Sequence, residues 1–107
     1  MSEYSESADG QNHLKIDSET CKLRLYAAGA SINSVKAIEN IKVLCEEYLK
    51  GMYELEIIDI YQQPLLAQED QIIALPLLIR KYPLPERRFV GDMSNIEVII
   101  KGLDLKK

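Results

Sequence analysis

Tryptophan, paired cysteines and all but one histidine are missing from this chain of 107 residues. The single histidine, His13, lies in a polar stretch near the N-terminus, so imidazole-based proton transfer and His-ligated metal sites are not expected. Cys21 and Cys45 are 24 positions apart, without a Cys-x-x-Cys pair or any metal-ligand spacing. Cys45 falls on the apolar side of a helical stretch, where a free thiol serves as a small hydrophobe. Reduced thiols and a cytoplasmic location are the expectation. No apolar run approaches the ~18 residues of a membrane span, and the first residues hold no apolar core of a signal peptide. There is no glycine-rich phosphate loop, since Gly29 stands alone as a turn residue. No cofactor, metal or membrane partner is therefore expected.

The charge is unevenly spread. Residues 1–20 hold five acids (Glu3, Glu6, Asp9, Asp17, Glu19) and one base, Lys15. The other 87 residues hold 12 acids and 12 bases, so the folded part is neutral. Broad electrostatic capture of nucleic acid is argued against by that balance, and aromatic residues are too few for a single-strand stacking platform. Residues 1–20 read as a disordered acidic leader, the first 13 being nearly free of apolar side chains. Residues 21–107 read as one domain, large enough for a single core.

Residues 22–28 alternate, with Leu23 and Leu25 on one face, and predict a strand closed by Gly29. A helix follows, with Ser31 or Asn33 as N-cap and Val35, Ile38, Ile41, Cys45 and Tyr48 as its buried stripe, and Gly51 ends it. Residues 53–61 predict a second strand, in which Leu55 and Ile57 alternate with Glu54 and Glu56 and Asp59 marks the exit. Pro64 suits the first turn of a short helix reaching about Ile73. Residues 74–82 predict a third strand interrupted by Pro76, and residues 86–92 a fourth, joined by a hairpin-like turn. Ser94 and Glu97 have the spacing of a capping box, ahead of a helix carrying Ile96, Ile99, Ile100 and Leu103. The order β-α-β-α-β-β-α is that of a single-domain α/β thioredoxin-like fold, in which Pro76 occupies the place of a cis-proline.

A redox enzyme of that fold needs a thiolate at the N-terminus of its first helix, where free N–H groups and the helix dipole lower its pKa. Here Ser31 and Ser34 occupy the two sulfur positions. Serine hydrogen-bonds but forms no disulfide, and no histidine is at hand to activate it. Thioredoxin-like redox catalysis is accordingly the weakest of the readings. Glu54 and Glu56 lie on one face of a strand, where a solvated face or sheet edge is the plain reading. Arg80, Lys81, Arg87 and Arg88 lie on neighbouring strands, as ordinary surface charge or as a basic strip for an acidic partner.

Leu25-Tyr26 with Ala28-Gly29 and Asn33-Ser34, Ile58-Asp59, Glu69-Asp70, Arg87-Arg88, Gly91-Asp92 with Ser94-Asn95, and Gly102-Leu103-Asp104-Leu105 together resemble the KaiB family over about residues 23–105. The resemblance implies a protein that is not an enzyme. It implies binding to a KaiC-type ATPase in circadian timing, and in clock systems help in sequestering KaiA. It also implies two folds, one thioredoxin-like and monomeric, the other rearranged and tetrameric, so that a homo-oligomer is expected. By this resemblance Lys36, Arg80 and Arg88 match basic positions of the ATPase-binding surface, and with Glu54, Glu56 and Arg87 they are the expected partner-binding residues. Pro76, Pro85, Gly102 and Asp104 are the residues expected to tune the balance between folds. Departures from the family pattern are Leu75-Pro76-Leu77-Leu78 around the proline, Glu56 in place of a basic residue, and Gln71 in place of lysine. These argue against a KaiA-dependent oscillator and leave open a stress-response adaptor or a homo-oligomeric module without the clock interface.

Overall fold

The computed structural model describes residues 20–105. Strand β1 (Cys21–Ala27) leads to helix α1 (Ile32–Tyr48), strand β2 (Tyr53–Asp59), helix α2 (Pro64–Glu69), strands β3 (Leu77–Tyr82) and β4 (Arg87–Val90), and helix α3 (Ile96–Gly102). The four strands form one sheet in the order β2-β1-β3-β4. β1 and β2 run parallel, Leu23 facing Leu55. β3 is antiparallel to β1, and β4 to β3. A βαβ unit, a hairpin and a covering helix thus follow one another as the element order predicted.

Because side chains alternate along a strand, β1 divides its residues between two layers. Leu23 and Leu25, with Leu78 of β3, meet Ala37, Ile41, Leu44 and Cys45 of α1 and Ile99 and Leu103 at α3. Tyr26, Ile58, Leu77 and Ile79 form a second cluster on the other side, covered by Leu66 and Ala67 of α2 and by Ile72 and Leu75. Both cysteines are free and buried. Burial, followed by the nearby Cys21 and Glu46, pushes the Cys45 thiol up to about 12, so it stays protonated at neutral pH.

Several local expectations are corrected. The buried face of α1 is Ser34, Ala37, Ile41, Leu44 and Cys45, while Val35 is 40% exposed. The small Ser34 and Ala37 lie against the sheet, which turns the helix about one position from its most apolar stripe. In β2, Ile57 is exposed and Ile58 is buried. Alternation is kept: Ile58 takes the opposite face, where α2 covers it, while Ile57 lies on an edge strand of the sheet. Helix α2 stops at Glu69, and Gln71 has φ 56°. The third strand begins only after the cis Leu75–Pro76 bond. The capping box is absent. The Ser94 N–H donates to Asp92 Oδ1 (3.0 Å) and Asn95 is the N-cap without a side-chain bond, because the Asp92 turn forms instead.

Candidate interaction surface

The β1–α1 loop, where a thioredoxin would hold its thiols, is closed by serines. Ser31 is the N-cap, and its Oγ accepts from the Ser34 N–H at 3.3 Å. The buried Ser34 Oγ accepts from the Ala28 N–H at 2.9 Å. Gly29, at φ +57°, turns the chain beside the Tyr61 ring, whose nearest atoms would lie 3.6 Å from an added Cβ. Both hydroxyls satisfy backbone donors that would otherwise be unpaired. Ser34→Ala is expected to lower stability by about 1–2 kcal/mol, since it strands the partly buried Ala28 N–H. Urea unfolding with an unchanged m-value would register this.

The other layer carries a polar cluster centred on Asp70, which caps the C-terminus of α2. Its Oδ2 accepts from Tyr26 Oη (2.6 Å) and Arg24 Nη1 (2.9 Å), and its Oδ1 from Lys81 Nζ (2.8 Å). Arg24 Nε also donates to Glu56 Oε1 at 2.9 Å, and Lys81 Nζ lies 3.3 Å from Glu86 Oε2. Arg88 Nη2 donates to the Asp70 carbonyl at 2.6 Å. Burial raises the pKa of the Asp70 carboxyl, but the bonds from Lys81, Tyr26 and Arg24 outweigh it and hold the group at about 2. Burial and then the Asp70 carboxylate push the Tyr26 phenol up to about 12. Among the described residues, no group of acids, cysteines and histidines is arranged to hold a metal.

The six expected partner-binding residues are not gathered on one face. Lys36 is exposed on α1, close enough to Asp92 to help hold its carboxyl low, after the hydrogen bonds from Ser94. Glu54 and Glu56 are exposed on β2, and Arg87 and Arg88 on β4. Arg80 corrects the idea of a continuous basic strip. It is 3% exposed and turned under the C-terminus of α3. Its Nη1 donates to the Leu103 carbonyl at 3.2 Å and its Nη2 to the Pro85 carbonyl at 2.9 Å. The Asp104 carboxylate is 3.8 Å away. In this packing Arg80 joins two backbone segments and presents no charge to a partner. The alternation of β3 that buries Leu78 also points Arg80 inward, while Lys81 faces the Asp70 cluster.

Arg80 also connects the residues expected to tune the fold. Pro85 and the Gly102–Asp104 turn both meet it, directly or through Leu103. Asp104 adopts φ 58°, and the Phe89 ring fills the space where Gly102 would carry a Cβ. Pro76 accepts from the Gly91 N–H at 2.9 Å, joining the start of β3 to the end of β4. Arg24, Tyr26 and the hub role of Asp70 were missed from the sequence. Asp70 lies 44 positions from Tyr26 and 46 from Arg24, and no local pattern marks such a pairing.

Residues 24–105 match the KaiB domain. The chain belongs to the KaiB family. It is 45% identical over 87 residues to the circadian clock oscillator protein KaiB of Synechococcus elongatus, covering 81% of this chain and 85% of that protein. It is 44% identical over 90 residues to the circadian clock protein KaiB3 of Synechocystis sp., covering 84% and 88%. Among solved structures, the N-terminal domain of Synechococcus elongatus SasA aligns with a TM-score of 0.68 at 16% identity, over 97% of this chain and 94% of that one. Mitochondrial thioredoxin 3 of Saccharomyces cerevisiae aligns with a TM-score of 0.66 at 14% identity, over 87% and 86%. Likeness at such identities establishes the fold alone, which is α/β and thioredoxin-like. Within this KaiB-family chain the thioredoxin thiol positions hold backbone-bonding serines. No helix among the described residues is long and apolar enough to cross a membrane.

Proposed function

We propose that this protein is a non-enzymatic regulator that binds a KaiC-type ATPase, in circadian timing or a related timer. The observation that carries the reading is a KaiB domain over residues 24–105, at about 45% identity to clock oscillator proteins. The serines at the head of α1 agree with it, because they close a loop and offer no nucleophile. Binding rests on complementary surface from Lys36, Glu54, Glu56, Arg87 and Arg88. The described packing is the binding-competent one of two, and the rearranged form is a tetramer. The segment from Pro76 through Pro85 to Gly102 and Asp104 is the part that repacks. A minor competent form makes association slow, since only that fraction binds. Glu56 and Gln71 set this chain apart from KaiA-dependent oscillators.

The test is size-exclusion chromatography with light scattering, after hours of incubation with the cognate KaiC-type ATPase in ATP or ADP. Slow, nucleotide-dependent co-elution is the expected result, weakened by Lys36→Glu. Absence of a complex in both nucleotides overturns the reading.

A further inference from the structure

The strand order leaves β2 and β4 as the two open edges of the sheet. On β4 the open groups can be named. The Gly91 N–H donates inward to the Pro76 carbonyl, and inward and outward groups alternate along an antiparallel strand. The N–H and C=O of Arg88 and Val90 therefore point away from β3 and face no other strand of the described residues. Sheet edges are commonly guarded by an interior proline or by lysine, and β4 holds neither. Beside it a groove runs along Phe89, Val90, Met93, Val98 and Ile99, with Val90 61% and Val98 53% exposed. Arg88 is spent on the Asp70 carbonyl, whereas Arg87 is exposed and makes no hydrogen bond or ion pair among the described residues. Glu86, just ahead of it, is engaged by Lys81. The other edge has the opposite sign, since β2 carries Glu54, Glu56 and Asp59 with no base.

We propose that the acidic segment ahead of β1, which lies outside the described residues, adds to the β4 edge of its own chain as a further strand antiparallel to β4. Residues 1–19 hold five acids and one base, so the acidic β2 edge repels them and the Arg87 edge attracts them. Chain direction agrees. β1 and β4 are both antiparallel to β3, and Arg80 of β3 faces Leu23 on one side and Arg87 on the other, so β1 and β4 begin at the same end of the sheet. A segment that descends along the edge and then crosses to the start of β1 runs antiparallel to β4. The crossing spans three strand spacings, about 14 Å, within reach of about five extended residues. The segment has residues to spare. Setting Glu6 opposite Arg87 sets Ser5 opposite Arg88, Tyr4 opposite Phe89 and Glu3 opposite Val90. That register gives the unpaired guanidinium a carboxylate, puts an aromatic residue opposite Phe89 beside the groove, and supplies backbone partners at Arg88 and Val90. β4 has only four residues, which keeps the contact weak enough to be displaced. Arg87 is withheld from other partners until that happens. The inference stands on the edge and the segment, and does not depend on an ATPase partner.

Hydrogen exchange of the full chain, read amide by amide by NMR, tests it. The amides of Arg88 and Val90 are expected to exchange at least about tenfold more slowly than freely exposed ones, and equally so at low and high protein concentration. Glu6→Lys and Arg87→Glu are each expected to abolish that protection. The double variant, which restores opposite charges in the reverse order, is expected to regain it. Arg87 is exposed, and circular dichroism checks that the fold survives each change. Unprotected Arg88 and Val90 amides in the wild type overturn the proposal, as does protection that survives both single changes. Protection that rises with concentration assigns the edge to a second copy and overturns it too. A double variant no better protected than the single ones has the same meaning, because the pairing of Glu6 with Arg87 is then absent.

Discussion

Asp70→Ala is expected to cost this packing about 2–4 kcal/mol, an effect on the scale of a broken, partly buried ion pair. The carboxylate is only 12% exposed and receives bonds from β1 through Tyr26 and Arg24, and from β3 through Lys81. Its own backbone carbonyl is held by Arg88 of β4. Truncation leaves two part-buried cations facing one another and leaves the buried Tyr26 phenol with the Leu66 carbonyl, at 3.0 Å, as its remaining acceptor. Asp70→Asn, which keeps an acceptor oxygen for Tyr26 but removes the charge, should lose less. The pH dependence has a definite sign. A carboxyl lowered from 3.8 to about 2 contributes stability that is fully present above its unfolded value and is lost as pH falls through the folded one. That contribution is about 2 kcal/mol. Urea titrations of wild type and Asp70→Asn should therefore differ at neutral pH and converge between about pH 4 and pH 2. A constant gap across that window would refute the role given to the charge. At the alkaline end Tyr26 acts oppositely. Its pKa is raised to about 12, so its share of stability holds below the ordinary phenol value of 10.0 and is lost as pH climbs past the folded value.

Arg80→Ala should destabilise by a similar amount, about 2–4 kcal/mol, with a different distribution through the molecule. Losing the guanidinium removes donors from the Leu103 and Pro85 carbonyls and leaves both without that partner. Part of the gain is offset already in the native protein, because the buried Nε has no acceptor among the described residues. Arg80→Met retains the aliphatic stem and isolates the hydrogen bonds. Arg80→Lys keeps the charge but cannot reach both carbonyls with one amine, so it should rescue only partly. Hydrogen exchange provides the distinguishing measurement. Amides of α3 should lose protection first in Arg80→Ala, whereas amides of β1 should follow global unfolding. Uniform loss across the chain would mean that Arg80 serves general stability and does not specifically hold α3.

Periodicity and turn chemistry were enough to place every strand and helix of the described region. Alternation in residues 22–28 marked β1, Ser31 and Asn33 were the two candidates for the start of α1, of which Ser31 is the cap, and Asp59 marked the end of β2. Pro76 marked the irregular entry to β3. Errors arose wherever a local rule met a competing tertiary contact. Val35 belongs to the most apolar stripe of α1, yet the sheet accepts the smaller Ser34 and Ala37 more closely. Ser94 has the spacing of a cap, yet the Asp92 side chain takes its N–H first. Arg80 has the composition of a surface cation, yet carbonyls at the end of α3 and in the Pro85 turn draw it inward.

What the sequence by itself determined was the order of elements, the serines at positions 31 and 34 at the head of α1, and the family. Each depends on residue identity or on spacing within a few turns of chain. Only the tertiary structure decided that Arg80 is withdrawn from the surface, that Asp70 ties three segments together, and that the sheet's open edges carry opposite charge. Those features depend on which distant segments become neighbours. Alternation fixes the face a strand residue takes, but packing of the whole chain decides what meets it there.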